Sequence, residues 1–297
     1  MNFINKLYNK FRKHRQDEIR RIVRSEIIIQ EIKRVAFSNK NSSFLNTSVR
    51  KEKIIVSFTT IKERIKNIYL VIESIAQQTM KPDKIVLWLS KKDFQDDNLP
   101  ITLKWMMQRG LEVRYVEDIG PHTKLLYALK EFENYLIITI DDDIIYPIDL
   151  IENLYNTHKN YPKAICCNAA MLIKKDKKGN FLPYNEWPTI TDRFMISDYL
   201  LPLGVDGVLY PSNSLDNMVF KQNLIKKLCP KADDIWFKIM SLKKGTEIIL
   251  TGAYPDFSNY FIPLDTAYIN ALAQENIFKN LNDIQFQKCI SYFNIKF

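Results

Sequence analysis

Apolar and polar positions follow two regimes along the chain, with a border near residue 50. Over residues 2–36 the apolar positions recur at helical spacing. Phe3, Ile4, Leu7, Tyr8 and Phe11 share one face, and Lys6, Lys10, Arg12 and Lys13 fill the other. Ile19, Ile22, Val23 and Ile27 continue the pattern among Arg20, Arg21 and Arg24. This predicts a basic amphipathic helical segment over 1–37, and a Ser/Asn-rich linker over 38–51.

From residue 52 short solid apolar runs alternate with helical ones. Ile54-Ile-Val-Ser-Phe58, Lys84-Ile-Val-Leu-Trp-Leu89, Leu111-Glu-Val-Arg-Tyr-Val116, Tyr135-Leu-Ile-Ile-Thr-Ile140 and Ala164-Ile-Cys-Cys-Asn168 read as strands. Between them, helical faces such as Ile65, Ile68, Tyr69, Ile72 and Ile75 predict covering helices. Such alternation predicts an α/β domain over 52–297 with a mainly parallel sheet covered on both faces. Residues 174–216 read as irregular, with Pro183, Pro188, Pro202, Pro211 and the aromatic run Tyr184-Asn-Glu-Trp187. A long insertion rich in aromatics favours an ordered binding surface. Helical patterns return at 217–228 and 233–243, followed by a short strand Glu247-Ile-Ile-Leu250 and a helix at 265–275.

Charge alters this picture in one place. The net charge is +9, and residues 1–36 carry +6 of it through ten Lys/Arg against four Asp/Glu. The body is close to neutral, which argues against a nucleic-acid-binding surface and points to an anionic membrane as partner of residues 1–36. No run of about 18 apolar residues exists, so no span is expected. Four cysteines without C-x-x-C spacing read as buried thiols of a reducing compartment, hence a cytoplasmic protein held at the inner membrane face. Three histidines argue against a histidine-rich zinc site.

The candidate chemistry lies at Asp141-Asp142-Asp143, where an apolar strand ends. Three adjacent carboxylates repel one another and gain nothing from a packed core. A hard divalent cation such as Mg²⁺ or Mn²⁺ would relieve that repulsion, and ligands of open α/β sheets bind outside the carboxyl ends of strands. Other signals fall in order around it. Ser57-Phe-Thr-Thr60 ends the first strand, with Arg64 after it. Gly120-Pro-His-Thr-Lys124 opens the helix before the aspartates. Gly204-Val-Asp-Gly-Val-Leu-Tyr-Pro211 follows the insertion, and Ala232-Asp-Asp-Ile-Trp236 opens a later helix.

This order of parts, over roughly residues 52–290, resembles the glycosyltransferases of the GT-A fold. The nearest likeness is to family-two-like bacterial enzymes of surface-polysaccharide synthesis, lipopolysaccharide and capsule. The resemblance implies a Rossmann-like domain with a nucleotide-sugar half at about 52–145, an acceptor half at about 146–255 and a C-terminal segment at 256–297. It also implies transfer of a hexose from a nucleotide-diphosphate sugar, a UDP-sugar, to a glycan or lipid-linked acceptor. By the same resemblance the Asp-x-Asp element falls on Asp141-Asp142-Asp143. Asp143 is then the best metal ligand, and Asp141 or Asp142 either shares the metal through water or reaches the ribose. Lys124 would bring positive charge to the donor, and Thr60 and Arg64 would line the base and ribose pocket. Asp234 matches the general base of an inverting transfer, with Asp233 raising its pKa. Trp187, Gly207 and Trp236 are the acceptor-side candidates.

Blander readings stand beside these. Arg64 and Lys124 also fit solvated helix positions, and Asp233 or Asp234 also fits a helix cap. The tryptophans fit a core, and His122 fits either a third metal ligand or a hydrogen-bonded loop. No histidine follows His158, so the late histidine ligand frequent in this fold is missing. A nucleotidyltransferase or phosphotransferase using the same carboxylates is the first rival, and a non-catalytic membrane- or nucleic-acid-binding protein the second.

Overall fold

The computed structural model describes residues 2–39, 42–95, 98–269 and 280–295, with side chains from residue 5 onward. In chain order the elements are α1 (Asn2–Ser38), β1 (Lys53–Thr59), α2 (Ile68–Ala76), β2 (Lys84–Ser90), α3 (Ile101–Gln108), β3 (Leu111–Val116), α4 (Thr123–Glu131), β4 (Tyr135–Thr139), β5 (Ile144–Ile145), α5 (Leu150–Asn160), β6 (Ile165–Cys167) and β7 (Ala170–Leu172). They continue with β8 (Thr189–Ile190), β9 (Met195–Ile196), β10 (Leu200–Pro202), β11 (Val208–Tyr210), α6 (Gln222–Leu228), α7 (Asp233–Lys244), β12 (Ile248–Leu250), β13 (Ile262–Pro263) and α8 (Leu281–Phe293).

The main sheet has eight strands in the order β3-β2-β1-β4-β11-β6-β12-β9. Its first four are parallel; β1, β2 and β4 are covered on both faces, as their solid apolar runs suggest, and β3 at the edge is half-buried. Ile54, Ile55, Val56 and Phe58 of β1 are fully buried and alternate between two cores, one on each side of the sheet. Each such side chain contributes roughly 1.5–3 kcal/mol by burial. β11 runs antiparallel between β4 and β6. Sequence reading leaves this strand inside the irregular 174–216 insertion, because three residues are too few to show a period. The insertion also supplies β8 and β10, which flank β7 in a three-stranded sheet, and β9 at the edge of the main one.

Within the expected linker, residues 42–51 touch the body. Phe44 is buried beneath the Arg109 guanidinium, 5.2 Å from its ring centre, and Asn46 donates to the Asp83 carboxylate at 2.9 Å. The helix expected over 265–275 begins as a 3₁₀ turn at Asp265–Tyr268, and residues 270–279 lie outside the described residues. α1 is one continuous helix. Its last third packs on the body through Ile32, Ala36 and Phe37, the last against Tyr69 and Trp105. Leu7, Tyr8, Phe11, Ile19, Ile22, Val23 and Ile27 stay exposed. No helix among the described residues is long and apolar enough to cross a membrane.

Candidate active site

β4 delivers the aspartates. Its strand ends at Thr139, buried Ile140 still bonds Ser57 of β1, and the chain then leaves the sheet. Tyr146 fixes the turn from below. Its hydroxyl accepts from the Asp141 amide at 2.8 Å and donates to the Val205 carbonyl at 2.8 Å. From above, β5 pairs with β13, and the Leu264 amide donates to the Asp143 carbonyl at 2.8 Å. The loop is thus pinned on both sides while its carboxylates point to different cations.

Asp142 and Asp143 share one. Arg64 Nη1 lies 2.8 Å from Asp142 Oδ1 and 2.7 Å from Asp143 Oδ2. Thr60 Oγ1 donates to the other oxygen of Asp142. Thr60 and Arg64 therefore contact the aspartates themselves, and Arg64 is not a solvated helix residue. Burial raises the pKa of Asp142 in spite of Arg64 and Thr60. Burial, then the charges of Asp141 and Asp142, push Asp143 up to about 7.

Lys124 takes the third carboxylate and reaches across the site. Its Nζ lies 2.6 Å from Asp141 Oδ1 and 3.0 Å from Asp233 Oδ2, and its side chain is nearly buried. Burial works against the ammonium, yet Asp141, Asp233 and Asp234 outweigh it and hold Lys124 charged well above its usual range. Lys124 thereby ties the tip of β4 to the start of α7. A solvated helix-start lysine would do neither.

The start of α7 bears Asp233 and Asp234, and no side chain caps this helix. Asp234 Oδ1 instead accepts the Gly204 amide at 3.0 Å, while Asp233 pairs with Lys124. Capping thus does not account for this pair. Desolvation opposes the charge of Asp233, but Lys124 beside it brings its pKa below the usual value. Desolvation, then the neighbouring Asp233, push half-buried Asp234 well above it. A carboxyl moved toward neutrality is suited to proton transfer.

Other sequence candidates sit elsewhere. Trp236 is fully buried, donates to the Val219 carbonyl at 3.2 Å and packs on Phe293. Trp187 is buried against Phe286 and donates to the Leu182 carbonyl at 2.9 Å. Neither offers a face to a sugar, because both complete the second core. Gly207 needs its glycine for a φ of 84° and for Leu150, whose methyl a Cβ would meet at 3.0 Å. The glycine at the carboxylates is Gly204, where a Cβ would lie 2.8 Å from Asp234 Oδ1 and 3.0 Å from Lys124 Nζ. His122 is buried against Phe237, with Nδ1 3.3 Å from the Ile119 carbonyl oxygen. Burial lowers its pKa to about 4, so it is a neutral loop histidine.

Two site residues escape a reading of the sequence. One is Tyr146, which could be read only as part of an apolar run. The other is Asp206, buried in the Gly204–Asp206 turn, whose carboxyl is pushed well above its usual range by burial, then by Asp141 and Asp234. Its signal was the acid inside the Gly-Val-Asp-Gly motif.

Six carboxylates therefore gather around two cationic side chains. Among the described residues no three His, Cys, Asp or Glu side chains converge on a metal position. Two carboxylates do converge on a single cationic nitrogen, that of Arg64. Mg²⁺-type sites take one or two carboxylates and fill the remaining positions with water and substrate phosphate, so the residues fit such an ion.

The solved structures similar to this one include the mannosyltransferase PcManGT from Pyrobaculum calidifontis in complex with GDP-Man and Mn²⁺. It is 15% identical, with a TM-score of 0.49, over 91% of this chain and 73% of that one. They also include TarS 1–349 of S. aureus in complex with UDP, 14% identical with a TM-score of 0.42 over 70% of this chain. The present chain spans 59% of the length of that TarS chain. No curated protein sequence matches. The profile of glycosyl transferase family 2 matches residues 55–228, from β1 to the end of α6 and more than half of the sequence, so the chain belongs to that family.

Proposed function

We propose that the protein moves a hexose from a nucleotide-diphosphate sugar, a UDP-sugar, to a glycan or lipid-linked acceptor of a bacterial surface polysaccharide, lipopolysaccharide or capsule. The transfer inverts the anomeric carbon, with Asp234 as general base. One observation carries the reading: Lys124 bridges Asp141 at the tip of β4 and Asp233 at the start of α7. Donor-side and acceptor-side carboxylates thus face one another across one cation.

Asp143 and Asp141 are the proposed metal ligands, with Asp142 held beside them by Thr60 and, in the metal-free protein, by Arg64. A bound Mn²⁺ or Mg²⁺ supplies Lewis-acid stabilisation of the diphosphate leaving group. Lys124 adds fixed positive charge next to the same phosphates. Asp234 spends one oxygen on the Gly204 amide, and its other oxygen is left to take the acceptor proton. Asp233 stays ionised through Lys124 and favours the protonated form of Asp234, which helps it accept a proton.

α1 supports docking to an anionic membrane from the cytoplasmic side. Ile19, Ile22, Val23 and Ile27 are exposed beside Arg20 and Arg24. Exposed Ile148 and Tyr260 extend this surface, lining with Arg24 and Ile28 a groove of about 350 Å³. Each basic residue near such a surface is worth about 1 kcal/mol. In the domain reading that follows, 1–37 docks, 52–145 holds the donor and 146–255 holds the acceptor.

The test is Asp234→Asn with product analysis. Turnover should fall at least ~10²-fold with donor affinity nearly unchanged, and NMR of the wild-type product should show an inverted anomeric carbon. Near wild-type turnover by Asp234→Asn, or retained configuration, contradicts the assignment.

A further inference from the structure

Arg64 is bonded in two directions. Its Nη1 is shared between Asp142 Oδ1 and Asp143 Oδ2, at 2.8 and 2.7 Å. Its Nη2 donates to the Ile269 carbonyl at 2.9 Å and to the Ala267 carbonyl at 3.4 Å. We propose that Arg64 occupies the cation position of the aspartate loop in the metal-free protein, and that its displacement by a divalent ion releases the 265–269 turn. This rests on the metal reading given above.

Up to Leu264 the C-terminal segment is fixed without Arg64, by β5–β13 pairing and the bond from the Leu264 amide to the Asp143 carbonyl. Beyond Leu264 the support changes. The turn has its own bonds, Ala267 amide to Leu264 carbonyl at 2.8 Å and Ile269 amide to Thr266 carbonyl at 3.0 Å. Among the described residues, the side-chain hydrogen bonds that hold 265–269 to the rest of the fold both come from Arg64.

A guanidinium nitrogen and a divalent ion held by Asp143 compete for the same carboxylate oxygens. They carry like charge and use the same lone pairs. An ion that enters must therefore move Arg64, and moving it removes both carbonyl contacts of the turn. This arrangement is also incompletely satisfied, since Arg64 Nε and Thr266 Oγ1 are buried without partners among the described residues. Unpaired buried polar atoms cost free energy that a second arrangement recovers. The displaced guanidinium has an obvious new partner, because a planar fork of donors matches the phosphate oxygens of the arriving donor. Arg64 is thus a positioning residue that couples ion and donor arrival to the turn beside the aspartates.

The experiment uses the full chain, Mn²⁺ alone and no nucleotide. Bound Mn²⁺ is measured by electron paramagnetic resonance, and hydrogen exchange is followed over 262–269. Arg64→Ala should bind Mn²⁺ at least ~10-fold more tightly, a tenfold change being about 1.4 kcal/mol. In the wild type, Mn²⁺ should speed exchange at Ala267 and Ile269, whereas Arg64→Ala should exchange fast there without the ion. Arg64→Lys keeps the charge but not the second arm, so it should bind Mn²⁺ near the wild-type level and exchange fast at the turn. Equal or weaker Mn²⁺ binding by Arg64→Ala overturns the proposal. So does wild-type exchange that does not change with Mn²⁺, a result that needs no variant to fold. Absence of Mn²⁺ binding by both proteins would instead defeat the metal reading itself.

Discussion

Replacing Asp143 by Asn should make the metal-free protein more stable at alkaline pH. The reason lies in the loop. Asp143 is nearly buried, and burial with the charges of Asp141 and Asp142 pushes it to about 7, against an ordinary 3.8. A carboxyl whose folded-state pKa is raised holds its proton longer in the fold than in the unfolded chain. Its stability contribution is therefore fully present below about pH 4 and lost as pH rises through about 7. A gap of roughly 3 units corresponds to about 4 kcal/mol above pH 7. Asn cannot ionise and avoids that cost, while Arg64 keeps Asp142 and loses one bond. A net gain of about 2–4 kcal/mol is expected, or about 3–6 °C in Tm for a chain of this length. Thermal unfolding at pH 5 and pH 8 in EDTA measures it. The variant should gain at pH 8, gain less at pH 5, and lose the stabilisation that Mn²⁺ gives the wild type. A variant less stable at pH 8, with the wild-type pH slope intact, would refute the reasoning.

Three further outcomes are expected. Gly204→Ala puts a Cβ on Asp234 and Lys124, so kcat should fall by roughly 10-fold or more with a native melting curve; unchanged kcat would separate Gly204 from the base. Gly207→Ala should cost about 1–2 kcal/mol of stability through its positive φ and spare kcat, as denaturant titration and kinetics will read. Deleting residues 1–27 should weaken sedimentation with anionic vesicles and leave Tm almost unchanged, because the buried apolar packing of α1, at Ile32 and Ala36, lies beyond them and the Arg21–Ser258 bond is exposed; equal sedimentation of both proteins would remove the membrane reading.

The parallel half of the sheet was legible because β1, β2 and β4 are buried on both faces and show as solid apolar runs, while β3 at the edge alternates apolar and charged positions. Leu111–Val116 and Tyr135–Thr139 could be read almost to the residue. β11 was not legible. Val208-Leu-Tyr210 acquires its strand only from the edges of β4 and β6, a long-range condition that no local pattern carries. The aspartate triplet and the Asp233–Asp234 pair stood out because charge at the end of an apolar run has no packing reason. What sequence could not supply was partnership. Nothing local links Lys124 to Asp233 or Arg64 to Ile269, and each pair is made by separate elements meeting. Trp187 and Trp236 failed as acceptor platforms for the opposite reason, since aromatic residues carry the same signature in a core as at a sugar site.

The reaction itself is tested most directly by ³¹P NMR of the protein with a UDP-hexose, Mn²⁺ and a glycan acceptor. The account predicts release of the nucleoside diphosphate, dependent on the metal and lost in Asp143→Ala. Release of pyrophosphate, or nucleoside diphosphate formed equally well by Asp143→Ala with or without the metal, would contradict it.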